Sequence, residues 1–363
     1  MAAPDGRSAA RERRSATDAA GVVVLSGCAV WSLISAAGRE ARPEGVLLAV
    51  FAVAAGYACG RICGTLLPVA TASVAALAAL GLAIASRQGV PGANAGAPVQ
   101  PGHTGAAAAL LVLAAGAACC AAAAARPAAL RLGLRMLALA VACTALALGS
   151  AAGFAAALGV LLCSLAAVRM HRRTVAIAGL ALATGLVVAT SWGVAEDALP
   201  DGLTVSLEGQ LTQNRVALWQ DAVNLAKDDP VRGVGPGRFG KLSTTAQQSL
   251  GSDGKPHSAS LQQAAEQGVV GVALLGAAFG WLLYGLWRSP RSTPVVLSAG
   301  AALAALAALA SVGNALSFAP VTAGAGLLAG LATARPPGEE ATEGGTNSAA
   351  RWADAAAAES RTL

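Results

Sequence analysis

Charge and aromatic rings are scarce in this chain. Only 12% of its 363 residues are Asp, Glu, Lys or Arg, and only 4% are Phe, Trp or Tyr. Soluble domains carry about 25% charged residues, so the first shortage excludes an ordinary water-soluble fold. With 55% hydrophobic residues, Ala the commonest among them, the composition is that of an integral membrane protein. The second shortage leaves each apolar run weakly hydrophobic per residue, which blurs its ends. Ala and Gly let helices approach closely in lipid. Seven cysteines (28, 59, 63, 119, 120, 143 and 163) lie in or beside apolar runs, so no disulfide framework is expected. The Cys59/Cys63 and Cys119/Cys120 pairs have no His near them and read as small buried side chains rather than metal or redox sites. The formal charge of +6 does not point to nucleic acid, because the basic residues cluster at the ends of apolar runs, as an orientation signal does.

A hydrocarbon core of ~30 Å needs ~20 apolar residues as helix. The runs are continuous rather than alternating, which excludes a barrel. Spans are expected near 21–37, 45–60, 64–86, 106–125, 133–149, 152–168, 174–194, 268–287, 295–313 and 318–334. The segment 133–168 is too long for one crossing and splits as a hairpin at "LGSAAG". The basic start and first apolar run resemble a signal peptide, read here as a retained signal anchor because further spans follow. With the N-terminus in the cytoplasm, sixteen Arg fall on inner segments and only Arg39, Arg42 and Arg87 on short outer loops. That bias predicts both termini inside. The expected organisation is a basic N-terminus (1–20), seven spans (21–194), an extracytoplasmic loop domain (195–267), three spans (268–334) and a disordered cytoplasmic tail (335–363). His103 reads as a solvated loop residue and His171 as part of an inner basic cluster.

Function should then concentrate in 195–267. "TQNRVALWQDAVNLAKDDP" (212–230) predicts a helix with Thr212 as cap, Val216, Trp219, Val223 and Ala226 on one face, and "DDP" as its stop. Arg215 shares a face with Trp219, either as a stem packed on the ring or as a cation held for a lipid phosphate. "RGVGPGRFG" (232–240) follows. Its glycines (233, 235, 237 and 240) lack the dinucleotide spacing, and it has no Gly-Lys-Ser/Thr. It is either a chain of surface turns or an anion site made of backbone N–H groups, beside Arg232, Arg238 and Lys241. Residues 195–229 carry a net −5 and residues 230–267 a net +2, so an anion would prefer the second half. "KPHSASLQQAAEQGVVGVALL" (255–275) predicts a helix running without a break into the eighth span, with Ser258 or Ser260 as cap. His257 before it is either a surface residue or a proton acceptor above the outer leaflet.

Three pieces in this order resemble the O-antigen ligase/polymerase superfamily of membrane glycosyltransferases: "RVALW" (215–219), "PVRGVGPGRF" (230–239) and "HSASLQQAAEQGVVG" (257–271). The resemblance implies an all-α polytopic membrane protein, GT-C-like, with about ten transmembrane helices and one long extracytoplasmic loop domain between the seventh and eighth. It implies transfer of a glycan from an undecaprenyl-pyrophosphate carrier to an acceptor hydroxyl, with inversion and without metal or nucleotide sugar. Arg215 would contact the pyrophosphate and His257 would activate the acceptor. Trp219, Arg232, Gly233, Gly235, Gly237, Arg238 and Lys241 would shape the donor site, and Glu266 would fix the start of the eighth span. The partners implied are the lipid-linked glycan, the bilayer and a glycan, wall-polymer or protein acceptor. Two departures stand out. Ser258 replaces a frequent Asn, and Gly149-Ser150-Ala151 lies where many members have Ser-Arg-Gly, so a gripping arginine is absent, and either Arg232, Arg238 or Lys241 replaces it or the protein is a weakly active or inactive relative. The competing readings are a lipid-sugar transporter, which would need ionisable residues within its spans, and a non-catalytic assembly subunit.

Overall fold

The computed structural model describes residues 6–88, 103–170, 172–196, 213–248 and 254–335. The regular elements within them are helices: α1 (Gly6–Ala36), α2 (Glu44–Leu66), α3 (Pro68–Gln88), α4 (His103–Ala124), α5 (Ala128–Ala147), α6 (Ala151–Ala167), α7 (Arg173–Ala195), α8 (Gln213–Asp228), α9 (Phe239–Leu242), α10 (Thr244–Gln248), α11 (Ala259–Arg288), α12 (Thr293–Ser311), a short 3₁₀ turn (Ala315–Ser317) and α13 (Ala319–Thr333). Eight of these are long and apolar enough to cross a membrane, and α6 and α13 are shorter apolar helices. The chain is an all-helical polytopic membrane protein. Thr212, His171 and the tail beyond Arg335 lie outside the described residues. His103 opens α4.

Local sequence sets the breaks. Pro68 opens α3 and pushes Leu67 out of the helical region, to φ −138°, because a residue before proline avoids it. The 133–168 segment is a hairpin as expected. Gly149 turns it at φ 76°, and the Ser150 Oγ caps α6 by accepting from the Gly153 N–H at 3.1 Å. That is ordinary N-capping.

The core is built on α4, which is apolar all round and therefore sits at the centre. Leu111, Val112, Ala114 and Ala115 are fully buried, and α3, α5, α6, α12 and α13 surround them. Large apolar side chains at the periphery point outward, among them Phe51, Leu77, Leu132 and Leu186. Lipid tails cover such surfaces in a membrane. The tightest pair is α2 with α13. A Cβ at Gly60 would collide with the Leu327 carbonyl, and one at Gly330 with the Tyr57 carbonyl. The backbones touch, as small-xxx-small sequences allow.

Arginines close the end of the bundle opposite the 213–257 segment. Arg291 donates to the carbonyls of Gly64 (2.6 Å) and Ala334 (3.0 Å), which are the last turns of α2 and α13. Arg173 donates to the carbonyls of Ser289 (3.0 Å) and Leu286 at the end of α11. Arg61 pairs with Asp18 at 2.8 Å. These side chains satisfy helix carbonyls that have no partner within their own helix.

One expectation is corrected. The run from 255 into the eighth span is broken at Gly268, with φ 66° and ψ −164°. This is a conformation essentially restricted to glycine.

Candidate functional site

The site is built where α11 breaks. In an unbroken helix the Ala265 carbonyl would accept from Val269 and the Glu266 carbonyl from Val270. Here the glycine segment takes both places. Val234 N–H donates to Ala265 O at 2.8 Å, and Gly235 N–H to Glu266 O at 2.9 Å. Val269 N–H turns away to Pro230 O at 2.8 Å. The fit leaves no room for side chains at the contact. A Cβ on Gly268 would strike the Val231 carbonyl, and one on Gly233 would lie 2.5 Å from the Glu266 carbonyl carbon.

Glu266 completes this clamp. It is buried, and burial pushes its carboxyl group above the ordinary value, against hydrogen bonds from the Gly237 N–H, the Gln262 side chain and the Phe239 N–H and the nearby charge of Lys255. Gly233 N–H bonds to Asp229 O and Arg238 N–H to Gly235 O. The amides of 233, 234, 235, 237, 238 and 239 are therefore engaged inside the protein. Of the two sequence readings of the segment, the N–H anion cradle has lost its donors. The segment is a set of turns wrapped on a broken helix.

Its arginines are also engaged. Arg232 donates to the carbonyls of Ile34 (2.7 Å) and Ala37 (3.2 Å), at the end of α1. Arg238 donates to Val234 O at 3.1 Å. Arg39, from the α1–α2 connection, donates to Gly233 O and pairs with Asp229 at 2.7 Å. The Arg39 hydrogen bond, then the Arg232 backbone N–H, holds the Asp229 carboxyl below the usual carboxylate range. Lys241 is exposed.

Helix α8 stands beside the first half of α11. Leu218, Trp219, Ala222 and Val223 share an apolar cluster with Phe239, Leu261 and Ala265. The buried stripe therefore includes Leu218 and Ala222, while the expected Val216 and Ala226 are only half-buried. Trp219 is 1% exposed and forms the centre of this small core. Asp221 anchors α10, accepting from Ser243 Oγ (2.6 Å) and Thr245 N–H (3.0 Å). Burial raises its carboxyl, but these hydrogen bonds outweigh burial and hold it below its ordinary value.

Pro230 after α8 meets Val269, and the middle of α8 meets Leu261 and Ala265. The two helices thus run in the same direction. Arg215 lies fifteen residues before Pro230, and His257 twelve before Val269. Arg215 lies in the first turn of α8, and His257 directly precedes α11.

Their local states are unusual. Arg215 is half-buried, and burial lowers its pKa from the ordinary guanidinium value. Among the described residues, the ion pairs are Arg39–Asp229 and Arg61–Asp18, so Arg215 has no carboxylate partner there. Guanidinium groups lie over the rings of Tyr57, Tyr284 and Trp287, not Trp219. His257 is the one non-glycine residue with positive φ (53°) among the described residues. It sits between buried Pro256 and buried Ser258. Ser258 occupies the N-cap of α11 without a side-chain cap bond, and Ser260 Oγ instead accepts from Trp192 Nε1 at 3.2 Å. The missing-arginine position, Ala151, is exposed at the first turn of α6.

Sequence reasoning missed Arg39, Asp229 and Asp221. The first two lie 190 residues apart, and no local pattern joins them. Gly268 was visible as a glycine inside a helical run, the usual sign of a break or close approach.

The family model described as O-antigen ligase matches residues 136–276. No curated protein matches the chain. The matched segment runs from α5 into α11 and contains all three motifs and the clamp around Glu266. Across these residues the chain is similar to O-antigen ligases, which supports the resemblance to the O-antigen ligase/polymerase superfamily.

Proposed function

We propose that this protein transfers a glycan from an undecaprenyl-pyrophosphate carrier to an acceptor hydroxyl at the outer face of the cytoplasmic membrane. In this reading ten helices cross the bilayer in a GT-C-like arrangement. Both termini are cytoplasmic, and α8 to α10 belong to an extracytoplasmic domain between the seventh and eighth spans.

The reading rests on two neighbouring helix starts: a half-buried guanidinium without a carboxylate partner among the described residues opens α8, and a histidine with positive φ directly precedes α11. A half-buried cation with no acid beside it is suited to an incoming anion. Arg215 binds the diphosphate and stabilises the charge that grows on it as the glycosidic bond breaks. His257 accepts the proton of the attacking hydroxyl. Attack at the anomeric carbon opposite the leaving diphosphate inverts that centre. The roles of the other residues follow from their bonds. Trp219 packs the helix that presents Arg215. Gly233, Gly235, Gly237 and Glu266 fix the height of α8 against α11. Arg232 and Arg238 tie the loop to α1 and to itself. Lys241, exposed, is left as the replacement for the missing arginine.

A non-catalytic role is the second reading. It is favoured by Ala151, which leaves one grip on the donor empty. Incubating the purified protein with a defined undecaprenyl-pyrophosphate oligosaccharide and candidate acceptors, followed by mass analysis, separates the two. Transfer with release of undecaprenyl pyrophosphate supports catalysis. Unchanged donor with every acceptor supports the assembly role.

A further inference from the structure

A second feature lies at the far end of the bundle from the glycine clamp. Between α7 and α11 there is a lateral groove of about 310 Å³, lined by Ile177, Ala181, Gly280, Leu283, Tyr284 and Trp287. Its walls are almost wholly apolar, and it opens on the side of the bundle where lipid tails run. At its end stands Arg288. The guanidinium carbon is 5.3 Å from the centre of the Tyr284 ring and 5.5 Å from that of Trp287. Its Nε donates to the Tyr284 hydroxyl at 3.0 Å. The two rings are themselves in contact, 5.8 Å apart.

The combination is more than an interfacial belt. Trp and Tyr commonly sit at headgroup level, and a lone arginine there would snorkel freely. Here the two rings line the groove and also hold the cation above it. The Nε is committed, while the side chain is exposed and has no carboxylate partner among the described residues. A long alkyl chain matches the groove, and an anion matches the fixed guanidinium.

We propose that this groove binds one anionic membrane phospholipid, with an acyl chain along Ala181 and Gly280 and the phosphate on Arg288. The site is separate from the Arg215–His257 region. It requires only that the bundle sits in a bilayer, so it stands or falls independently of the glycan-transfer reading.

Native mass spectrometry of the full chain, stripped of lipid and titrated with phosphatidylglycerol, phosphatidylcholine and a polyprenyl phosphate, tests it. One phosphatidylglycerol should be retained about fivefold more tightly than phosphatidylcholine, as expected for one interfacial basic residue. Arg288→Gln should remove that preference, and Ala181→Phe should block the groove and abolish retention of either phospholipid. Arg131→Gln, on α5, should change nothing. If Ala181→Phe does not fold, Arg288→Gln still decides. An unchanged preference in Arg288→Gln, or equal retention of the two phospholipids by the natural sequence, overturns the proposal. So does displacement of phosphatidylglycerol by equimolar polyprenyl phosphate, which would assign the groove to the carrier.

Discussion

The carbonyl oxygen of Pro230 accepts the amide proton of Val269 at 2.8 Å, one residue after Gly268 leaves the helical conformation. The contact ties the end of α8 to the point where α11 resumes. It fixes how far α8 rises beside α11, and hence the height of Arg215 relative to His257. The 232–240 segment serves this geometry, because the amides of Val234 and Gly235 replace the helical donors that the break removes.

Gly268→Ala should disrupt the clamp. Alanine adopts φ 66° with ψ −164° poorly, and its methyl would meet the Val231 carbonyl. The expected loss is on the order of 3 kcal/mol. Thermal unfolding in detergent should show it as a large drop in midpoint. Gly276→Ala, on the same helix with open space around its Cβ position, should be neutral or slightly stabilising.

Glu266→Gln keeps the size of the side chain and removes one of its two acceptor oxygens. Gly237 and Phe239 both need an acceptor there. A buried N–H left without one costs roughly 1–3 kcal/mol. Limited proteolysis should cut 232–240 faster in the variant, while the apolar helices stay protected.

The Arg39–Asp229 pair makes the loop sensitive to acid. The Asp229 carboxyl is held below its ordinary value in the folded chain, chiefly by Arg39. Its contribution is therefore complete above the unfolded pKa of about 3.9 and is lost as pH falls through the lower folded value. Hydrogen exchange of residues 230–238 should be constant from neutral pH down to about 4 and then accelerate, after correction for intrinsic rates. Asp229→Asn should exchange faster at neutral pH and lose most of the acid step. Asp221, also held low, accounts for what remains.

Much of the fold was legible because membrane helices are read from composition and length alone. The ten apolar runs, the hairpin turning at Gly149 and the central place of the uniformly apolar α4 follow from residues close in sequence. The site was less legible. The three motifs lie on adjoining elements, but the use of the glycine amides depends on a helix break 30 residues downstream. Arg39 is reached from the other end of the chain. The stripe of α8 shifted to Leu218 and Ala222 because its partner surface is formed jointly by α7, α10 and α11 rather than by one flat face.

Lys241 is the test of how the chain manages without the arginine absent at Ala151. Arg232 and Arg238 donate to carbonyls, whereas Lys241 is exposed on α9. Lys241→Ala should slow transfer roughly fivefold, as loss of an exposed cation worth ~1 kcal/mol would. Folding should be unchanged. Arg232→Ala should instead lower stability, by releasing the carbonyls at the end of α1.

The central claim is that Arg215 and His257 act together on one diphosphate-linked donor. Its most direct test is the rate of transfer from a purified undecaprenyl-pyrophosphate glycan by the natural chain, Arg215→Ala, His257→Ala and the double variant, each with its thermal midpoint checked. Each single variant should lose at least about a hundredfold in rate with its midpoint unchanged, and the double variant should lose little more than either. Natural rates in either single variant would contradict the account.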